Sequence, residues 1–163
     1  MESINSKFYE RKRIFKLLET VENYKIIYIS AICGSGKTTV IKGLISVFES
    51  LAYNVSLAAP TGRAAKRMSE TTSHEAKTIH RLLEMDASDD SGSKFLRDEN
   101  NTLDADVIII DEASMIDILL MQSLLRAVKN GSRLILIGDS DQLPSVGAGN
   151  VLGDIIDSGK FAL

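Results

Sequence analysis

The sequence is poorest in what marks an exported, membrane-bound or globally cationic protein. It holds one cysteine, Cys33, among 163 residues, so no disulfide can form within the chain, and this usage fits a reducing cytoplasm. Its longest apolar runs, such as Val107–Ile110, are far too short to span a bilayer. The charged N-terminus has no apolar block of the kind that directs export. Cations are not in excess: 19 Lys and Arg against 22 Asp and Glu leave a net charge of -3, with a pI near 5.4. A nucleic-acid partner would therefore have to meet a local basic patch, not a global field. The remainder, 44% apolar and 25% charged residues, suits one globular domain over residues 1–163 with a substantial core.

Apolar spacing then divides the chain. Phe8, Ile14, Phe15 and Leu18 recur at helical intervals among charged residues, so a leading amphipathic helix is expected within residues 1–24. Apolar, β-branched stretches at 25–30, 53–59, 105–111 and 132–139 read as four strands. The third is so uniformly apolar that it must be a central parallel strand covered on both faces. Helices are expected from Thr39, at 62–72, 75–85 and 117–128, and at 149–158. Met115 and Met121 read as gap-fillers of the core. Residues 86–101 collect Asp, Ser, Gly, Glu and Asn, the composition of an acidic surface loop. Strand–helix alternation implies right-handed crossovers and a parallel α/β sheet with helices on both faces. The expected central order is first, fourth, third, second strand.

The strongest chemical pattern is Gly34-Ser35-Gly36-Lys37-Thr38-Thr39, between the first strand and a helix. Glycines let backbone N–H groups curl round an anion, and the helix N-terminus adds a favourable dipole. Lys37 would reach the β- and γ-phosphates of a nucleoside triphosphate, and the Thr38 hydroxyl would bind Mg²⁺. Ala31 stands where the full loop pattern starts with glycine, and Cys33 lies inside the loop.

In parallel α/β sheets, ligands sit at the carboxyl ends of the strands. Asp111 ends the third strand and would hold Mg²⁺ beside Thr38, while Glu112 would orient or deprotonate a water. Gln142 follows the fourth strand, with an amide suited to sensing a γ-phosphate. Pro60-Thr61-Gly62-Arg63, continuing through Lys66 and Arg67, combines a helix N-terminus, a hydroxyl and three cations. It could grip nucleic-acid phosphates or simply form an exposed helix face. His80 could meet a base or line the core.

Taken together these segments resemble the RecD/TraA family of superfamily 1B DNA helicases. The matching runs are Gly34 to Thr39, Ala59 to Arg67, Thr78 to Leu83, Ile110 to Met115 and, most specific, Gly138 to Leu152. Pif1-like helicases share the Gln-Leu-Pro core of that last run, but its Ser-Val-Gly-Ala-Gly-Asn-Val-Leu continuation favours RecD. The resemblance implies a P-loop, RecA-like fold and use of ATP and Mg²⁺. It also implies 5′ to 3′ movement on single-stranded DNA, alone or within an exodeoxyribonuclease V complex. By it, Lys37 and Thr38 bind nucleotide and metal, Asp111 and Glu112 serve metal and water, and Gln142 couples the γ-phosphate to DNA. Pro60, Thr61, Gly62, Arg63 and His80 lie towards the strand. Family members carry an adenine-reading glutamine upstream of the loop, whereas Gln122 and Gln142, the only glutamines here, both lie downstream. A second RecA-like domain, with its arginine fingers, is expected to be missing. The chain alone should thus bind nucleotide yet turn over slowly. A nucleotide-gated, non-catalytic binding module is the rival reading.

Overall fold

Seven strands, five helices and one 3-10 turn make up the computed structural model, which describes residues 25–30, 37–86, 94–139 and 151–157. In chain order these are β1 (Lys25–Ser30), α1 (Lys37–Ser50), β2 (Val55–Ala59), α2 (Gly62–Thr72), β3 (Ala76–Thr78), α3 (Ile79–Leu82) and β4 (Met85–Asp86). There follow β5 (Lys94–Phe95), β6 (Val107–Ile110), the 3-10 turn Ala113–Met115, α4 (Ile118–Ala127), β7 (Arg133–Gly138) and α5 (Val151–Asp157). The leading helix, the glycines of the phosphate loop with Cys33, and Gln142 lie outside the described residues.

The main sheet runs β1-β7-β6-β2-β3, and every pair in it is parallel. The expected order of the four long strands holds, with β3 added at one edge. All four residues of β6 are fully buried. Ile108 and Ile110 join the core on one face with Leu134 and Leu136 of β7 and the buried side of α4. Val107 and Ile109 join the other, with Ile135, Ile137, Met68 and the α1 residues Ile41 and Ile45. Apolar side chains on both faces are what a central parallel strand needs, and each buried isoleucine is worth roughly 1.5–3 kcal/mol.

Caps set the helix bounds. Thr61 precedes α2 in extended backbone and its hydroxyl accepts from the Ala64 N–H, while Ser73 closes the helix in left-handed backbone. Asp117 caps α4 through the Leu120 N–H. The expected helix over 75–85 is wrong. Residues 76–78 pair in parallel with Leu57–Ala59, and only Ile79–Leu82 are helical. Thr78 is extended and caps that short helix, so the chain changes conformation inside a stretch whose apolar spacing reads as continuous. The acidic segment 86–101 is also not all loop. Asp86 and Met85 pair with Lys94 and Phe95 in an antiparallel ribbon, and Arg97 bonds Glu84 at 2.7 Å.

Candidate functional site

The carboxyl ends of the parallel strands share one edge, and Lys37, Thr61 to Arg63, and Asp111 with Glu112 follow the ends of β1, β2 and β6 there. Lys37 and Thr38 open α1 after β1 and are half-buried, whereas Thr39 is exposed. Asp111 follows β6, its backbone N–H donating to Ala58 O at 3.0 Å. Neighbouring strands lie about 4.8 Å apart, so β1 and β6, with β7 between, stand about 10 Å apart. A triphosphate held at the start of α1 would span that interval.

The backbone turns sharply after Asp111. Glu112 has φ 55°, ψ 40°, a left-handed conformation that non-glycine residues seldom adopt. The Asp111 carboxylate accepts from the Glu112 N–H at 2.8 Å, which secures the turn and leaves the second carboxylate oxygen for a ligand. A strained residue locked at a strand end is a device for aiming a side chain. Both carboxylates are half-exposed and line a cavity of about 530 Å³.

Thr61, Arg63, Arg67 and Met115 line the same cavity. The structure therefore brings Thr61 and Arg63 together with Asp111 and Glu112, residues far apart in sequence. Pro60 and Gly62 flank Thr61 at the turn into α2, Gly62 exposed and Pro60 half-buried. His80 does not line this cavity; its ring packs near Phe95 of the small ribbon, centroids 5.9 Å apart. Asp139, after β7, is buried.

Met115 is a correction. The core role expected of it belongs to Met121 alone, which is 4% exposed; Met115 is 44% exposed and faces the cavity. The turn Ala113–Met115 is 3-10, so Ala113 and Ser114 bury themselves and their neighbour swings outward. Arg67, one of three cations that the sequence offers either to nucleic-acid phosphates or to an exposed helix face, lines the cavity, whereas Lys66 does not. Its spacing of four from Arg63, which puts both on one face, was the available signal.

Oxygen donors suit a hard divalent ion. The free oxygen of Asp111 and the Thr38 hydroxyl are such donors, and among the described residues no cluster of three or more His, Cys, Asp or Glu could cage a metal. Among the described residues, no helix is long and apolar enough to cross a membrane.

Similarity to known proteins agrees with this geometry. The chain is 39% identical over 133 residues to the ATP-dependent RecD2 DNA helicase of Deinococcus radiodurans, matching 82% of this chain and 18% of that protein. It is 40% identical over 147 residues to the RecBCD enzyme subunit RecD of Mycobacterium tuberculosis, matching 76% of this chain and 25% of the relative. The chain therefore spans only about a fifth to a quarter of these relatives' lengths. A solved Pif1 helicase, described in unwinding forked double-stranded DNA, superposes with a TM-score of 0.51 at 27% identity, covering 91% of this chain and 37% of that one. A family model described as an AAA domain, a phosphate-loop class that uses nucleotide and divalent metal, matches residues 16–148. With most of its length inside that match, the chain belongs to the AAA domain family, among its RecD-like members.

Proposed function

We propose that this chain is the ATP-hydrolysing motor domain of a RecD-like DNA helicase moving 5′ to 3′ on single-stranded DNA in recombination and repair. One observation carries the reading: the carboxylates that would serve metal and water share a cavity with the hydroxyl and guanidinium that would meet DNA. Hydrolysis and strand binding then act through one set of walls.

On this reading Gly34, Ser35, Gly36, Lys37, Thr38 and Thr39 cradle the phosphates of ATP, with Lys37 countering their charge. Thr38 and Asp111 hold Mg²⁺, which supplies charge neutralisation at the phosphates when bound. Glu112, aimed by its left-handed backbone, orients the attacking water. Gln142 senses the γ-phosphate, and Pro60, Thr61, Gly62, Arg63 and His80 lie along the strand. Thr61 suits its role because its oxygen accepts from Ala64 and its own O–H stays available to a phosphate. The RecD relatives are named as subunits of RecBCD, so partner subunits and a second RecA-like domain belong to the proposal. An arginine finger from such a partner is typically worth about 10³–10⁵ in rate.

The test is an ATPase assay on the chain with and without single-stranded DNA, repeated on Lys37→Ala. Slow Mg²⁺-dependent turnover, raised by DNA and abolished by the substitution, is the expected result. Nucleotide binding without any turnover would favour the non-catalytic module, and robust unwinding by the chain alone would refute the need for a second domain.

A further inference from the structure

The cavity has an uneven distribution of charge that the roles above do not use. Arg63 and Arg67 lie four residues apart on α2, about 6 Å along its axis, and form a cationic wall. Neither forms an ion pair with a described residue. Asp111 and Glu112 bring negative charge to the same cavity, and Met115, apolar and 44% exposed, lines it with them. Single-stranded DNA has a charged edge and flat apolar rings. In such a cavity its phosphates are drawn to the guanidiniums and repelled by the carboxylates, which turns its base or sugar toward the remaining apolar surface.

We propose that Arg67 and Met115 complete a seat for one nucleotide of single-stranded DNA, a backbone phosphate on the Arg63–Arg67 ladder and its base or sugar against Met115. This rests on the DNA-binding reading above and names its contact residues. Met115 also couples the seat to the chemistry. Its N–H donates to Glu112 O at 3.1 Å, and Ile116, 1% exposed, anchors the far side of the turn.

The two contacts differ in kind, so salt separates them. Binding of fluorescein-labelled oligothymidylate to the chain is followed by anisotropy between about 50 and 200 mM salt. Arg67→Ala should weaken binding and flatten the slope of log K against log salt by about 0.7, the loss of one single-strand phosphate contact. Met115→Ala should weaken binding roughly fivefold with the slope unchanged, and Met115→Phe should restore it, since an aromatic face stacks on any base. Lys42→Ala, exposed on α1 and outside the cavity, is the control for a general field and should leave the slope alone. Circular dichroism confirms that each variant is folded. An unaltered slope in Arg67→Ala, an equal flattening in Lys42→Ala, or a Met115→Phe as weak as Met115→Ala overturns the seat. If Arg63→Ala alone impairs binding, the seat falls and the DNA reading stands. If the unsubstituted chain binds no oligothymidylate, both fall.

Discussion

Gly138, which ends β7, lies close against the turn that follows Asp111. A Cβ built there would lie 2.7 Å from Leu152 Cδ2 and 3.2 Å from the Ser114 N. The leucine tip can yield, but the backbone nitrogen belongs to a turn pinned by buried Ala113 and Ile116. Gly138→Ala should therefore cost about 1–3 kcal/mol, read as a lowered urea midpoint at unchanged slope. Because the displaced turn carries Glu112, ATP turnover should fall as well. A variant as stable as the parent would show that this contact is loose. At this scale the sequence was an incomplete guide. Asp111 and Lys37 stood out because their residue types and spacing are specific to a chemistry. Met115 did not, since an isolated methionine reads as core until the turn that exposes it is known.

Among the elements, α2 and the edge strand β3 form a unit held by one hydroxyl. Ser69 Oγ accepts from the Ala76 N–H at 2.8 Å and donates to Ala65 O at 3.1 Å. Ser69→Ala would leave the Ala76 N–H without that acceptor, a loss of about 1–2 kcal/mol. Hydrogen exchange at Ala76 should accelerate more than at Ile109 in the sheet centre; equal acceleration would mean that β3 has no separate stability. Thr61→Ala should cost about 1 kcal/mol by uncapping α2, with Thr61→Ser close to the parent in thermal melts. Helices α2 and α4 were legible to within a residue because their caps are local chemistry: threonine or aspartate three residues before the N–H it accepts from. Strand β3 was not. Three residues are too few to show a period of two, and their state depends on pairing with β2, nineteen positions earlier in register.

For the molecule as a whole, a long-range ion pair ties the segment before β6 to α4. Glu99 and Arg126 meet through two hydrogen bonds, 2.7 and 2.5 Å. Those bonds, first among the causes, hold the Glu99 carboxyl down at about 2, against an ordinary 4.5. The folded state then binds its proton later than the unfolded state, so the pair's contribution is full above about pH 4.5 and is lost as the pH falls toward 2. Glu99→Gln should flatten the acid limb of stability across that window by lowering stability at neutral pH and leaving it unchanged near pH 2, a small effect because the pair is half-exposed and screened. An acid limb that keeps its slope would assign it to other carboxylates.

Alternation of strands and helices and the burial of β6 were both written in local order: β-branched runs and helical spacing. Such patterns act through neighbours along the chain, so they can be read without knowing the fold. Which walls face each other was settled by packing. Arg67 and Met115 lie 48 residues apart, and they meet because β2 pairs with β6 in parallel register, bringing the ends of both strands to one rim. A contact between distant segments depends on strand order and on the core that enforces it, and neither is a property of any single stretch of sequence.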